Sequence, residues 1–405
     1  MFYKNHANCR ICNSDKLTPY LDLGNLPLTN NLAESVTDLI HEQKYPLKLV
    51  FCESCGLSQL SIVIEPEAMF SHYVYRSSIS KGYLDHCHQM ALDLKQKYSL
   101  TDRSFHVDIA GNDGALLSQF REVLGHRCLN VDPAKNLVPI CEAQGIATIA
   151  QFWGMKAANT LVKTYGFADL ITATNVFAHV DNVHEFLLSV RLSLKPTGVL
   201  VMEFPYLIDF IDNHEFDTIY HEHLSYFSIY PLTLLCEELG LTVMSVSKQE
   251  IHGGSVRVTI GYGSQEGSVG RFVAHERENY GKIERYYEFA EDVQLTLMAF
   301  KNGLKTLRGT VAGFAASAKG NTLLNCAGVN GNQLKYIVDQ TPEKIGKFSP
   351  GTRIPIYAIE QLKTNPPDYL VILSWNFCDE IIGKCRAAGY KGRYVIPIPE
   401  FKVIE

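Results

Sequence analysis

The sequence lacks any apolar run of the roughly 20 residues that a membrane-spanning helix needs, and its first residues lack the apolar core of a signal peptide. It also lacks a charge bias, because 37 basic and 43 acidic residues leave a formal net charge of -6 without long runs of one sign. Neither nucleic acid nor an anionic membrane would find an electrostatic surface here. We therefore expect a cytoplasmic protein that binds no nucleic acid and no membrane, as a monomer or weak homo-oligomer.

A complete disulfide framework is also disfavoured, because the 11 cysteines are odd in number. Four of them form two Cys-x-x-Cys pairs: Cys9 and Cys12, and Cys52 and Cys55. This spacing lets both sulfurs of a pair reach one metal, and four thiolates make the closed tetrahedral set of a structural Zn²⁺. We predict that zinc holds together an irregular segment, 1–78, with little core of its own. Free thiols or a redox pair are the alternatives, and His6 or His41 could replace a ligand.

From about residue 81 the sequence alternates between strand-like and helix-like segments, which is typical of a parallel sheet covered by helices. Over 79–262 we predict seven strands, of which the last two form an antiparallel hairpin. Residues 204–230 are expected to form a polar, aromatic insertion that runs extended. Residues 263–307 read as a connecting helical segment, and a second Gly-punctuated α/β unit follows at 308–405.

A glycine-rich turn follows the first predicted strand, at the edge where open α/β sheets bind ligands. The turn and its approach contain Asp108, Gly111, Asn112, Asp113 and Gly114. Asp132 ends the next strand about 20 residues further on, where an acid can bind ribose hydroxyls. These features also suit NAD, but G-x-G-x-x-G is absent, and Asp108 and Asp113 complement a sulfonium better than a pyrophosphate. They favour S-adenosylmethionine, with Asn175 and His179 at the same edge.

Acid–base residues are concentrated directly after the fifth predicted strand. They include Tyr206, His214, Tyr220, His221, Glu222, His223 and Tyr226. Carbon methylation beside a ketone needs a base to remove a proton and a donor to hold the enolate, and a neutral histidine suits the base role. In an extended run His221 and His223 would point to opposite sides, so only one should face the pocket. A polar loop packed by aromatic residues is the alternative.

Taken together, these motifs resemble the sugar C-methyltransferases, above all the 3-C-methyltransferases of nucleotide-linked 4-keto-deoxysugars. The resemblance covers essentially the whole chain. Besides the cysteine pairs and the Asn-Asp-Gly turn, it rests on Tyr75-Arg-Ser-Ser-Ile-Ser, Asn175-Val-Phe-Ala-His179, Tyr220-His-Glu-His223, His252-Gly-Gly-Ser-Val-Arg257 and Ser317-Ala-Lys-Gly-Asn321-Thr.

The resemblance implies a class I S-adenosylmethionine methyltransferase fold, an N-terminal zinc-binding domain and a C-terminal Rossmann-like α/β domain that helps bind the nucleotide-sugar. It also implies that His223 is the general base and that Tyr75, His179, Tyr220 and Glu222 line the active site. Asp108 departs from the family, which usually has Glu there. Candidate substrate contacts, each as consistent with a structural role, are His252, Gly253, Arg257, Ser317, Lys319 and Asn321.

We therefore predict a zinc-binding domain at 1–78, a methyltransferase domain at 79–262, a connecting segment at 263–307 and a nucleotide-sugar-binding domain at 308–405. The expected reaction is methylation of C3 of a 4-keto-deoxysugar, with dTDP as the expected nucleotide, through an enolate generated by histidine. An NAD-dependent sugar-nucleotide oxidoreductase and a non-catalytic zinc-containing ligand-binding protein are the alternatives.

Overall fold

A computed structural model describes residues 3–70, 76–125, 127–250 and 254–405 of the chain. Its N-terminal part contains β1 (Tyr3–Asn5), β2 (Leu17–Leu26), β3 (Tyr45–Cys52), β4 (Ser58–Leu60), β5 (Ile62–Ile64) and α1 (Pro66–Phe70). Strands β2, β3 and β4 pair antiparallel in one sheet, and β1 pairs with β5.

The expectation of an irregular N-terminal segment is wrong. Along β3, Leu47, Leu49 and Phe51 are buried at every second position, which is the period of a strand with one covered face. Their cover comes from a distant helix, since the rings of Phe51 and Tyr286 lie 4.5 Å apart. A strand whose core partner is so remote in the chain is hard to recognise from the local pattern.

The central part carries the predicted seven-stranded sheet. Its elements are α2 (Lys81–Lys97), β6 (Phe105–Ile109), α3 (Ala115–Leu124), β7 (Arg127–Val131), α4 (Val138–Ala143), β8 (Ala147–Ile149), α5 (Met155–Tyr165), β9 (Ala168–Thr174), α6 (Val183–Ser193), β10 (Leu194–Pro205), α7 (Leu207–Asp212), β11 (Ser225–Tyr226), α8 (Ile229–Glu238), β12 (Thr242–Gln249) and β13 (Ser255–Gly261).

Seven of these strands form one sheet in the order β12-β13-β10-β9-β6-β7-β8. Strands β6 to β10 run parallel to one another, whereas β13 is antiparallel to both β10 and β12. The predicted seven strands and closing hairpin are therefore confirmed. The order also places β6 and β9 side by side, so the segments that follow these two strands meet at one edge.

The insertion after β10 is not the extended run that we expected. Leu207, Ile208, Phe210 and Ile211 are buried at helical spacing and form the inner face of α7. A 3₁₀ turn follows at Phe216–Thr218. Strand β11 then pairs with β4 rather than with a strand of the central sheet. The insertion thus joins the seven-stranded sheet to the N-terminal sheet.

The C-terminal part begins with two helices and continues as an α/β unit. Its elements are α9 (Gly267–Asn279), α10 (Ile283–Thr306), β14 (Val311–Phe314), α11 (Ala318–Ala327), β15 (Ile337–Asp339), β16 (Ile356–Ala358), α12 (Gln361–Thr364), β17 (Tyr369–Ile372), α13 (Cys378–Ala387), β18 (Arg393–Ile396) and β19 (Lys402–Ile404).

The second sheet has the order β16-β15-β14-β17-β18-β19, in which all but the last strand are parallel. This is the Rossmann-like strand order, in which the first strand of the unit, β14, lies in the middle of the sheet. Strands β16 and β19 were not predicted, and each has only three residues. Among the described residues, no helix combines the length and the hydropathy needed to cross a bilayer.

Candidate active site

The four paired cysteines converge at one end of the N-terminal sheet. All four sulfurs lie within 4.8 Å of one another, and the Sγ atoms of Cys9 and Cys55, and of Cys12 and Cys52, are 3.5 Å apart. Thiolates about 2.3 Å from a tetrahedral zinc would be nearly this far apart, so the site fits Zn²⁺.

Local backbone geometry gives each cysteine pair its shape. Cys9 and Cys52 accept hydrogen bonds through their carbonyls from Asn13 N at 3.0 Å and Gly56 N at 2.8 Å. Asn13 and Gly56 have φ of 56° and 80°, in the left-handed region where Gly and Asn are tolerated. His6 instead faces Asp181 at 3.2 Å and is not in the cysteine group.

The glycine-rich turn after β6 is tight. Ala110 and Asn112 have φ of 54° and 53°, in the left-handed region that few side chains other than Gly and Asn adopt easily. Asp132 at the end of β7 closes the turn, since its Oδ2 accepts from Asn112 N at 2.9 Å and its Oδ1 from Ala134 N at 2.8 Å. The predicted partners, Gly111 to Gly114 and Asp132, are thus brought together.

Asp108 and Asp113 are less accessible than we expected for sulfonium contacts. Asp108 is fully buried beneath the turn and accepts from Thr172 Oγ1 at 2.6 Å, and burial raises the pKa of its carboxyl to about 7. Asp113 accepts from Ser78 Oγ at 2.6 Å. Both side chains therefore shape the turn, and their contact with the donor stays a prediction.

We expect that Gly111→Ala weakens S-adenosylmethionine binding at least about tenfold, because overpacking at this turn displaces the backbone. An added Cβ would lie 2.6 Å from both Asp108 Oδ2 and Asn130 Oδ1. Isothermal titration with S-adenosylmethionine measures the effect. Gly270→Ala on α9 is the matched control, since a Cβ there meets nothing within 4 Å. Equal affinities of the two variants would contradict this account of the turn.

His223 forms the centre of the acid–base segment. Its Nδ1 lies 2.9 Å from the carbonyl oxygen of Thr218, and its Nε2 lies 2.8 Å from the hydroxyl of Tyr220. Because a carbonyl only accepts, Nδ1 carries the hydrogen, and Nε2 of the neutral ring is the acceptor for the Tyr220 hydroxyl. Burial, reinforced by the nearby His179 and Lys319, holds the pKa of His223 well below its ordinary value. The ring is therefore a neutral base at neutral pH.

The other two histidines occupy different environments. The His179 ring packs edge-on against His223 with centroids 4.9 Å apart, whereas His221 turns away and donates from Nε2 to the Tyr45 carbonyl at 3.2 Å. Burial lowers the pKa of each of these two rings to about 4. The histidine beside Tyr220 and His179 is thus His223, although the segment is a turn rather than an extended run.

Residues from three parts of the chain surround this segment. Asn30 Nδ2 donates to Glu222 Oε1 at 2.6 Å, and Lys319 Nζ lies 3.3 Å from Glu215 Oε2 and 3.6 Å from Asp217 Oδ1. Lys319 also lies 4.6 Å from the ring centroid of Trp375, whose Nε1 donates to Asp217 Oδ2 at 2.8 Å. Burial raises the pKa of both carboxyls beside Lys319.

The other candidate substrate residues have protein partners. Ser317 caps α11 by accepting from Gly320 N at 3.1 Å, and Asn321 Nδ2 donates to the Thr29 carbonyl at 2.8 Å. Arg257 is bound to Glu203 at 2.6 Å and to Asp93 at 3.3 Å. Asn175 has φ of 55° and donates its N–H to Glu203 O at 2.7 Å. The substrate roles of these residues and the cofactor role of Asn175 stay predictions.

Three predicted site residues, Tyr75, His252 and Gly253, lie outside the described residues. Sequence reasoning missed Asn30, Thr218 and Trp375. Thr218 acts through its backbone carbonyl, which every residue type possesses, so its residue type gives no signal of this role. Asn30 and Trp375 come from distant segments, and only the assembled fold brings them to the acid–base turn.

Three family models match successive parts of the chain: "Putative zinc binding domain" at 9–70, "Methyltransferase domain" at 83–246 and "C-methyltransferase C-terminal domain" at 250–399. The C-methyltransferase NovU of Streptomyces niveus is 35% identical over 98% of this chain and 96% of its own. The molecule is thus a methyltransferase that transfers to carbon. The chain belongs to the S-adenosylmethionine-dependent C-methyltransferase family with an N-terminal zinc-binding domain.

Partial matches to solved structures were also found. Magnesium protoporphyrin IX methyltransferase (ChlM) from Synechocystis PCC 6803 with bound SAM is 10% identical, with a TM-score of 0.34 over 45% of this chain and 81% of its own. The PH0226 protein from Pyrococcus horikoshii OT3 is 14% identical, with a TM-score of 0.37 over 48% of this chain and 97% of its own.

The family match confirms several predictions made from the sequence. The C-methyltransferase resemblance, the class I fold, S-adenosylmethionine as cofactor and the four-cysteine zinc site are confirmed. The NAD-dependent oxidoreductase and the non-catalytic binding protein are not supported. The domain boundaries and the roles of individual site residues stay predictions.

Proposed function

We propose that this C-methyltransferase methylates C3 of a nucleotide-linked 4-keto-deoxysugar, with dTDP as the nucleotide, and that His223 removes the C3 proton. The observation that carries the proposal is the neutral, buried His223 whose Nε2 points its lone pair at Tyr220. S-adenosylmethionine supplies an electrophilic methyl group when bound. A poor nucleophile such as a sugar carbon becomes reactive only after it loses a proton, which makes a base necessary.

The surroundings of His223 support removal of a proton from a carbon next to a ketone. A base with a depressed pKa removes a proton efficiently only where the resulting anion is stabilised. Lys319 disfavours positive charge on His223, and a nearby cation equally favours negative charge on a substrate oxygen. An enolate with its charge on O4 suits this environment, whereas a carbon without an adjacent ketone does not.

Tyr220 has two successive roles in this proposal. Before substrate binds, its hydroxyl occupies the lone pair of His223 Nε2 at 2.8 Å. When the sugar C3–H takes that position, the Tyr220 hydroxyl is released to donate to O4 as the enolate forms. Glu222 accepts a hydrogen bond from Asn30 at 2.6 Å and so fixes the turn between Tyr220 and His223. The backbone carbonyl of Thr218 keeps the imidazole in the required tautomer.

The nucleotide would lie on the C-terminal side of the base. Helix α11 begins beside the acid–base turn, with Thr322 Oγ1 donating to the Ile219 carbonyl at 3.3 Å. Its first turn presents backbone N–H groups and Lys319, which together favour an anion. A diphosphate would compete there with Glu215 and Asp217 for the ammonium group. This arrangement supports the α/β unit as the nucleotide-sugar domain.

The test is to incubate the protein with ¹³C-methyl-labelled S-adenosylmethionine and 4-keto-deoxysugars linked to dTDP, GDP or CDP. We expect the label on C3 of the sugar, with turnover fastest for the dTDP-sugar. NMR of the product locates the new methyl carbon. Label on a sugar oxygen or on another carbon would overturn the proposed position, and a preference for GDP or CDP would overturn the nucleotide.

A further inference from the structure

Arg10 stands between the zinc ligands Cys9 and Cys12, yet its side chain is entirely buried. Its guanidinium contacts four acceptors on three separate segments. Nε donates to Asp181 Oδ1 at 3.0 Å, Nη1 to the carbonyls of Leu60 at 2.9 Å and Leu224 at 3.2 Å, and Nη2 to the carbonyl of Ile62 at 3.4 Å. A planar fork with several fixed donors can satisfy such a set, whereas a lysine ammonium cannot.

Two of these acceptors adjoin the histidines of the candidate active site. Leu224 directly follows His223, and Asp181 lies two residues after His179. Leu224 N also donates to the carbonyl of Ala178 at 2.7 Å, so the backbones beside the two histidines are tied together. Leu60 N donates to the Leu224 carbonyl at 2.9 Å, which adds the N-terminal sheet to the same junction.

The backbone of Arg10 is fixed as firmly as its side chain. Its N–H donates to Gln59 Oε1 at 2.9 Å, and Gln59 Nε2 donates to the Asn8 carbonyl at 3.0 Å. The residues on either side are Cys9 and Ile11, both buried. The cysteine knuckle therefore fixes the position of the Arg10 backbone. The guanidinium, in turn, holds Leu224 and Asp181 in place.

From this geometry we infer that Arg10 is a positioning residue for the base. Its hydrogen bonds connect the zinc-binding knuckle to the backbone segments that carry His179 and His223. The inference rests on the proposed role of His223. It gives the N-terminal domain a part in catalysis, because a displacement of Leu224 moves the adjoining His223 relative to Tyr220 and the substrate. Displacements of about 1 Å can cost about 100-fold in rate.

The test compares Arg10→Lys with wild type in the full, zinc-loaded protein. We expect kcat per S-adenosylmethionine-binding site to fall about 10- to 100-fold, with unchanged zinc content and unchanged affinity for S-adenosylmethionine. The kinetic isotope effect with a C3-deuterated sugar should rise, because proton removal becomes more rate-limiting. A loss of stability alone would lower the number of binding sites and leave the isotope effect as in wild type. Unchanged kcat per site and isotope effect would overturn the inference.

A measurement without substrate separates this inference from the proposed reaction. In ¹⁵N-histidine NMR spectra of the protein with bound S-adenosylmethionine, Arg10→Lys should shift the His223 resonances, which His223→Asn identifies. Unshifted resonances overturn the inference whatever the substrate is. Shifted resonances without C3 methylation would support the positioning role and refute the proposed reaction.

Two further variants keep the test decisive. Asp181→Asn retains an acceptor for Arg10 and should give a smaller shift in the same direction, even if Arg10→Lys folds poorly. Arg191→Lys is the matched control, because Arg191 Nη1 donates to the carbonyl of Leu239 at 2.9 Å rather than to a residue beside His179 or His223. It should leave the His223 resonances, kcat and isotope effect as in wild type. Equal responses of Arg10→Lys and Arg191→Lys would overturn the inference.

Discussion

His223→Asn should lower kcat by about 10²- to 10⁴-fold, the usual contribution of a positioned general base, while the affinity for S-adenosylmethionine stays close to wild type. The asparagine amide can still donate to the Thr218 carbonyl, so the turn is retained, but it offers no basic nitrogen in place of Nε2. Steady-state kinetics with the keto-sugar substrate, combined with isothermal titration, measures both quantities.

The pH profile provides an independent check of the same residue. Burial lowers the pKa of His223, and repulsion from Lys319, and from His179 once that ring is protonated, lowers it further, so the reactive neutral ring persists as the pH falls below 6.5. The acid limb of kcat/KM in the free enzyme should therefore lie well below pH 6.5 and disappear in the variant. A limb near 6.5 carried by an exposed histidine would contradict this assignment.

Stability limits how far that profile can be followed. The folded state keeps His179, His221 and His223 neutral, whereas the unfolded chain protonates them near pH 6.5. The unfolded state then binds more protons, so the free energy of unfolding decreases as the pH falls below about 6.5. Folded fraction must be recorded at each pH.

His221→Asn is the matched control for His223→Asn. Its ring is equally buried, but its hydrogen bond goes to the Tyr45 carbonyl rather than toward Tyr220. It should lose stability, by about 1–3 kcal/mol if the carbonyl is left unpaired, and retain most of its turnover per folded molecule. Comparable kcat losses in both variants would contradict the choice of His223 as the base.

The methyltransferase sheet was predictable because its strands obey local rules. Strand β6 is buried along its full length and ends in a glycine-rich turn, and α3 begins and ends where glycines permit a left-handed residue, at Gly114 and Gly125. Such features can be recognised from residues that are consecutive in the sequence. The location of the donor turn and of the acid–base segment at one edge then followed from the parallel topology.

The remaining features depend on contacts between distant residues. The face of β3 is covered by Tyr286 on α10, so the N-terminal segment showed no core of its own. The tautomer of His223 depends on a backbone carbonyl, and Lys319 meets its carboxylate partners only when α11 docks on the 3₁₀ turn at Phe216–Thr218. A single sequence records the residue types but not these pairings.

The second large effect is expected at the zinc site, where Cys52→Ser should reduce bound zinc far below one per chain and unfold the N-terminal sheet. Structural zinc contributes about 10–16 kcal/mol of apparent binding free energy, which matches or exceeds the stability of a typical domain, about 5–15 kcal/mol. Metal analysis and thermal denaturation measure the loss. Cys378→Ser, outside the cysteine cluster, should keep full zinc and a Tm near wild type.

The consequence of zinc loss should extend to turnover but much less to cofactor binding. Cys52 ends β3, β3 pairs with β4, and β4 pairs with β11, which begins two residues after His223. The donor turn is built instead on β6 and β7 of the central sheet. We therefore expect Cys52→Ser to lose most of its kcat and to retain binding of S-adenosylmethionine by titration. Full kcat in a zinc-free variant would contradict any catalytic contribution of the N-terminal sheet.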